Sequence, residues 1–308
     1  MWRLQLAQAL CRRLPPIVSQ RLRSWIYPSA AAFSDDYEFV ARAQTGSLLR
    51  GTTSDLTAYT FSVHGYWDWR IVAAALAICS AGDTIIEIGG NTGTETIAFA
   101  DIVGPSGHVY TFEPLPANLA RLQATLALNG ASHVTVFPWA VAEWCGCVHL
   151  RPPSRHNSGD GCLVAGDDQT DADTVAVHCV TLDSLADELG PARVIFMDVE
   201  GAEQRVLCGA RSYIERHKPC IVLDDHRHLL RRAGLNVEDL YAQVQDMGYE
   251  VYEVSRLGLS SLDLAKPGKA AWLCVHRSRG AVADRVQNLI RRCGILPCVP
   301  GLNPMTRN

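Results

Sequence analysis

The run Thr84-Ile85-Ile86-Glu87-Ile88, followed at once by Gly89-Gly90-Asn91-Thr92-Gly93, constrains this chain more than any other stretch. A short apolar, β-branched run ended by glycines reads as a buried strand, too brief for a helix. Glycine has no Cβ, so the backbone just beyond can turn sharply and approach a ligand closely. The alternation then continues. Residues 94–102 have helical spacing, 104–107 form a turn, and 108–112 read as a second strand. A helix at 118–128 closes on Asn129-Gly130, and strands follow at 134–137, 194–197, 220–223, 250–254 and 271–276. Helices are expected at about 202–216 and 237–247. The pattern is that of a mostly parallel α/β sheet with helices on both faces, its last two strands forming an antiparallel hairpin. Residues 144–180 interrupt it with strands at 148–150 and 175–180 around a polar, Gly/Asp-rich loop (154–173), an insertion too short to hold its own core.

The 308 residues, 48% hydrophobic, allow one large domain or two small ones. A net charge of −4 gives no global pull toward nucleic acid. There is no run of 18 apolar residues and no secretory leader pattern, so a cytoplasmic protein with reduced thiols is expected. Cys145-Gly146-Cys147 lacks ligand partners at metal-site spacing and reads as ordinary strand or turn. Residues 1–33 carry five arginines (Arg3, Arg12, Arg13, Arg21, Arg23) and no acid, with apolar residues interleaved and a break at Pro15-Pro16. The preferred reading is a helix pair packed on the domain with a solvated arginine face. A weak peripheral contact of residues 1–30 with an anionic membrane is the second reading.

In open α/β sheets ligands sit at the carboxyl ends of the strands, beside the first one. Glu113 ends the second strand, 26 residues after Glu87, where an acid can accept both hydroxyls of a ribose. A dinucleotide site would need glycines at the third and sixth positions counted from Gly89, and those are Asn91 and Thr94. Glu87 is a poor neighbour for a pyrophosphate but a good one for the cationic methionine part of S-adenosylmethionine. An NAD-dependent oxidoreductase and a non-catalytic adaptor built on the same fold remain the rivals.

From about His64 to His276 the chain resembles the FkbM-type methyltransferases. The stretches that carry the resemblance are His64-Gly65-Tyr66-Trp67-Asp68, Glu87 to Gly93, Phe112-Glu113-Pro114, Asn118, Leu128-Asn129, Ala140-Val141-Ala142-Glu143, Asn157-Ser158-Gly159, Thr181 to Leu185, Met197 to Glu203, and Leu223-Asp224-Asp225-His226. Glu87 stands where aspartate is commoner in the family, and Asp224 where glutamate is. The resemblance implies a class I (Rossmann-like) methyltransferase fold of seven strands, with the β-containing insertion between the third and fourth core strands. It also implies transfer of a methyl group from S-adenosylmethionine, usually to an oxygen of a sugar, glycolipid, polyketide or similar natural product. On that basis Glu87, Gly89, Gly90, Asn91, Gly93, Glu113, Pro114, Ala140 and Asp198 are expected at the cofactor. Asn157 and Asp224 are expected at a small-molecule or glycan acceptor, with no nucleic-acid partner. Residues 61–277 would form the domain, with a basic helical extension at 1–60 and a further extension at 278–308.

A hydroxyl acceptor must lose a proton, which invites a general base. Asp198, Glu200 and His226 are the candidates, His226 because its ordinary pKa of about 6.5 suits neutral pH. A metal site of His226 with Asp198 and Asp224 is the less favoured alternative, and no metal is assigned from sequence. N- or C-methylation also stays open, since the motifs select a cofactor and not an acceptor atom.

Overall fold

The computed structural model describes residues 1–164, 173–232, 234–265 and 271–307. Part of the polar loop expected at 154–173, residues 165–172, lies outside that set. The chain starts with helices α1 (Trp2–Cys11) and α2 (Pro16–Ile26), divided at the proline pair, and then α3 (Ser29–Asp35). Strands β1 (Glu38–Arg42) and β2 (Leu48–Thr52) form an antiparallel hairpin before α4 (Leu56–His64) and α5 (Trp69–Ile78). The alternating region runs β3 (Thr84–Ile88), α6 (Thr96–Val103), β4 (His108–Phe112), α7 (Pro116–Asn129) and β5 (Val134–Phe137). The insertion holds β6 (Ala140–Val141), β7 (Gly146–Arg151), β8 (Cys162–Leu163) and β9 (Val175–Val180), followed by the one-turn α8 (Ala186–Leu189). Then come β10 (Val194–Met197), α9 (Glu203–Gly209), α10 (Arg211–His217), β11 (Cys220–Leu223), α11 (Arg227–Arg232) and α12 (Val237–Asp246). The chain closes with β12 (Tyr249–Ser255), β13 (Gly258–Ser261), β14 (Trp272–His276) and α13 (Ala281–Ile295).

The main sheet has the order β13-β12-β14-β11-β10-β3-β4-β5. The seven expected strands are present, and β13 adds an eighth at the edge. Strands β3, β4, β5, β10 and β11 pair in parallel, whereas β14 is antiparallel to both β11 and β12, and β13 to β12. The link between β12 and β14 is therefore not a bare hairpin loop. β13 is a short, polar edge strand, Gly-Leu-Ser-Ser, with no alternation to announce it. The insertion makes its own four-stranded sheet, β6-β9-β7-β8.

The sheet is buried on both faces, as its near-continuous apolar strands require. Ile85, Val194 and Val222 pack with Trp69, Ala73, Phe99, Val286 and Ile290 on one side. Ile86, Ile195 and Ile221 pack with Val206, Leu207, Tyr213, Leu240 and Val244 on the other. The expected helix at about 202–216 is instead two helices. A Cβ on Gly209 would fall 2.0 Å from the Ala142 carbonyl oxygen, so the backbone there is pressed against the insertion and the helix breaks into α9 and α10.

The N-terminal region is more than a helical extension. Leu4, Ala7, Cys11 and Tyr27 pack on Tyr59 and Val63 of α4, while Leu49 of the hairpin packs with Phe61, Ile97 and Leu122. Residue 60, where sequence divides extension from domain, falls inside α4. The arginine face is only partly solvated. Arg12 donates to the Ser62 carbonyl at 2.9 Å and Arg23 to Thr60 Oγ1 at 2.6 Å, while Arg3, Arg13 and Arg21 are exposed. Among the described residues no helix is long and apolar enough to cross a membrane.

Candidate active site

β3 lies between β10 and β4, so the ends of these strands meet where the sheet order reverses. Gly89 occupies that point with φ +98°, and a Cβ there would sit 2.1 Å from the carbonyl oxygen of Asp198, just beyond β10. Only glycine fits. The N–H groups of Gly89 and Gly90 both donate to the Phe112 carbonyl, at 2.9 and 3.0 Å. Gly90 and Gly93 face inward, where a Cβ would crowd Thr111 Oγ1 and Leu122. Asn91 adopts φ +47° and donates its N–H to Glu113 Oε2 at 2.8 Å, while Leu115 N–H donates to Oε1 at 2.8 Å. Burial pushes the Glu113 carboxyl up to about 7, against these two donors. Each oxygen keeps a further lone pair for a ribose hydroxyl.

Glu113 opens onto a cavity that Gly89, Asn91, Pro114, Ala140, Asp198 and Glu200 also line. Trp139, Ala140 and Val141 give it an apolar wall, and Ser158 and Gly159 line it from the insertion. Asn157 itself turns back, its Oδ1 accepting from Gly159 N–H at 3.2 Å, so its two successors reach the cavity in its place. Ser158 N–H donates to Asp55 Oδ2 at 2.7 Å, and His156 stacks on Phe33 at 4.8 Å, so the N-terminal region holds this loop.

Glu87 belongs to a second cavity, which shares Ile88, Gly89 and Asp198 with the first. Asp68, Glu95 and Asp224 line it too. Glu87 is 3% exposed, its Oε2 accepts from the Thr96 hydroxyl at 2.6 Å, and burial raises its carboxyl to about 7. Burial first, then the surrounding acids, holds Glu95 well above its ordinary range. Asp68 pairs with Arg70, whose Nε donates to both its oxygens at 3.0 Å. Sequence reasoning missed Asp68 and Glu95 as site residues. Asp68 lies in the motif ahead of the first strand with no role apparent there, and Glu95 falls just outside the glycine run.

Across the junction, β10 and β11 end side by side, with Met197 level with Leu223. Beyond them stand Asp198, Glu200, Glu203, Asp224 and His226. His226 Nε2 lies 3.3 Å from Glu200 Oε2 and 3.6 Å from Asp224 Oδ2; Nδ1 lies 3.6 Å from Glu203 Oε1 and 3.8 Å from Asp198 Oδ1. Burial lowers the His226 pKa, but Glu203, Asp198, Asp224 and Glu200 overrule it and raise the group to about 10. The imidazole therefore carries its proton at neutral pH, unlike the neutral base expected from the free residue. Burial raises Glu200 to about 8, against the pull of His226 toward the charged form. Asp198 and Asp224 are also raised, first by desolvation; each side chain keeps 42% exposure, and solvent at the cavity mouth moderates the effect. Glu200 sits at φ +49°, a left-handed conformation, just before Gly201 at φ +96°.

These residues fit an adenosyl group bearing a cationic amino-acid tail. The first cavity offers an apolar wall, Glu113, and two buried atoms without partners, Asn91 Oδ1 and Ser158 Oγ. The acids of the second suit an ammonium and oppose a pyrophosphate.

Comparison with a family model agrees. The Methyltransferase FkbM domain family matches residues 87–251, more than half of the chain. Over 55 residues the chain is 40% identical to the protein-L-isoaspartate O-methyltransferase of Ignicoccus hospitalis, covering 18% of this chain and 26% of that protein. Methyltransferase FkbM from Methylobacillus flagellatus aligns at 16% identity over 88% of this chain and 58% of its own, with a TM-score of 0.44. A SAM-dependent O-methyltransferase from Thermotoga maritima aligns at 15% identity over 67% of this chain and 64% of its own, with a TM-score of 0.36. The chain thus spans about a quarter of its curated relative and under two thirds of both solved structures. With a domain match over most of the sheet and S-adenosylmethionine as the cofactor of the site, the chain belongs to the FkbM methyltransferase family.

Proposed function

We propose that this protein transfers a methyl group from S-adenosylmethionine to a hydroxyl oxygen of a sugar, glycolipid, polyketide or similar natural product. The observation that carries the reading is the meeting of the two cavities at Gly89 and Asp198, with Glu200 and His226 at the same rim. Glu113, Asn91 and Ser158 would hold the adenosine half, and Glu87, Glu95 and Asp68 the ammonium. When bound, the cofactor supplies an electrophilic methyl group on a sulfonium and leaves as a thioether. Gly89 and the carbonyl of Asp198 fix where the two halves join, and such positioning supplies much of the catalysis of an in-line displacement.

The acceptor oxygen must form a C–O bond as its O–H bond breaks. Asp198 and Glu200 stand to receive that proton in their ionised forms, which the neighbouring His226 cation favours against burial. A rim so rich in proton acceptors favours a hydroxyl over an amine, which can attack with its own lone pair and lose its proton afterwards.

The test is calorimetric titration of the full chain with S-adenosylhomocysteine and, separately, with NAD. Binding of the first alone is expected, with affinity about tenfold or more weaker in Glu113→Ala. Binding of NAD alone would overturn the reading, and unchanged affinity in the variant would remove the ribose role. Methyl-labelled S-adenosylmethionine with a panel of sugars, glycolipids and macrolides then identifies the acceptor. Label found only on nitrogen or carbon would reject the oxygen assignment.

A further inference from the structure

The rim holds four carboxylates around one imidazole, and among the described residues no arginine or lysine forms an ion pair with any of the four. The contrast with the next residue is sharp. Asp225 is paired with Arg227 at 2.8 Å and accepts from Trp272 Nε1 at 2.8 Å. Among the described residues Asp224 accepts only the Asp225 N–H, at 3.0 Å, and turns its other oxygen toward His226. One oxygen each from Asp198 and Asp224 and one ring nitrogen of His226 lie within 4.8 Å of one another. Both aspartates line the acid cavity and keep 42% exposure, so an ion between them would be reachable from solvent.

A second observation lies behind the imidazole. Glu203 is 0% exposed; its Oε1 accepts from Gly201 N–H at 3.2 Å and sits 3.6 Å from His226 Nδ1. Its Oε2 is buried without a partner, and so is His226 Nδ1. A buried carboxylate against the far nitrogen of a histidine is the usual outer support of a metal ligand, because it fixes the tautomer and leaves the near nitrogen free. Without a cation, a buried unpartnered oxygen in an acid cluster has only cost.

We propose that Asp198, Asp224 and His226 bind one divalent cation of the magnesium–manganese class, with Glu203 orienting His226 from behind. Two carboxylate oxygens and one imidazole, with open positions facing a cavity, suit such an ion better than one that prefers thiolates. The site lies where the acceptor oxygen would gain negative charge, so the inference rests on the methyl-transfer reading for its purpose but not for its detection. Bound there, the ion would hold the acceptor hydroxyl and ease loss of its proton.

Manganese(II) chloride is the probe. Full-length protein freed of metal with a chelator is titrated with it, and free ion is read by electron paramagnetic resonance. Wild type and the distant surface variant Glu215→Gln should each take up one ion per chain. Asp224→Asn and His226→Ala should bind at least about tenfold more weakly, and Glu203→Gln should be weakened in the same direction. Each protein is also titrated with S-adenosylhomocysteine, and retained affinity shows an intact fold. A wild type that takes up no manganese, or an Asp224→Asn that binds it as wild type does, overturns the proposal. Manganese uptake without S-adenosylhomocysteine binding would support the ion site and reject the methyl-transfer reading instead.

Discussion

The two sides of the cavity junction treat their acids in opposite ways. On the β3–β4 side each acid at the turn has a donor fixed by the fold: Glu113 has two backbone N–H groups, and Glu87 has the Thr96 hydroxyl. On the β10–β11 side Asp198, Glu200, Glu203 and Asp224 crowd around His226; Glu203 and Asp224 hold one backbone N–H each, and Glu203 Oε2 is orphaned. The first arrangement fixes its two acids before anything binds and leaves Asn91 Oδ1 and Ser158 Oγ open, as preorganised recognition of a constant cofactor demands. The second leaves charge uncompensated, and that charge waits for an acceptor or an ion. Strain does not follow this division, since each side holds one left-handed non-glycine residue, Asn91 at φ +47° and Glu200 at φ +49°.

The sharpest way to break the comparison is to damage the contact that joins the two sides. Gly89→Ala would drive a methyl into the Asp198 carbonyl oxygen at 2.1 Å, on backbone that already disfavours a side chain. Loss of S-adenosylhomocysteine binding is expected, with destabilisation of about 3 kcal/mol or more by thermal unfolding. Wild-type affinity would mean that the two strand ends are not coupled. Next in size, His226→Ala should leave cofactor affinity intact while turnover on the accepted hydroxyl falls about 100- to 10,000-fold. Full turnover would show that the rim around His226 takes no part in the chemistry.

A pH series on wild type and a Glu87 variant isolates one acid of the cofactor side without a substrate. Glu87 has an ordinary pKa of 4.5 and is held at about 7 by burial. Its folded form keeps the proton longer than its unfolded form. Stability from this group is therefore fully present below 4.5 and lost as pH rises through about 7, a difference of about 3 kcal/mol. The melting temperature of the cofactor-free protein should fall between pH 5 and pH 8, and Glu87→Gln should flatten that slope. A variant with the wild-type slope would place the titration elsewhere.

The parts of this site that sequence revealed are those set by local pattern. Glu113 and Asp198 follow short apolar runs directly, and Gly89 stands in a turn that only glycine can make. What stayed hidden depends on residues far apart in the chain. The break at Gly209 comes from a strand end in the insertion, more than sixty residues earlier. Asp68 and Glu95 became site residues only when the sheet brought them beside Glu87. The β1–β2 hairpin has no Asn-Gly turn or strong alternation, and long-range bonds hold it: Leu48 exchanges backbone bonds with the Asn129 side chain at 2.7 Å each way.

Asp55 gives the smallest effect and the finest distinction. Its Oδ1 accepts from Ala58 N–H at 2.8 Å and caps α4, while its Oδ2 accepts from Ser158 N–H, 103 residues away. One carboxylate thus ties the start of a helix to the loop that lines the adenosyl cavity. Asp55→Asn can keep the cap through its remaining carbonyl oxygen, but its amide would point a donor at another donor. The loop bond alone is lost, at a cost of about 1 kcal/mol. If the N-terminal region serves the finished, cofactor-holding side, S-adenosylhomocysteine affinity should fall about fivefold with little change in melting temperature. The acceptor KM should stay as it was, because Gly159 of this loop lies beside Asn91, where a Cβ would meet the Asn91 side-chain amide nitrogen at 3.3 Å. A variant that raised the acceptor KM and left cofactor affinity alone would put this loop on the other side of the division.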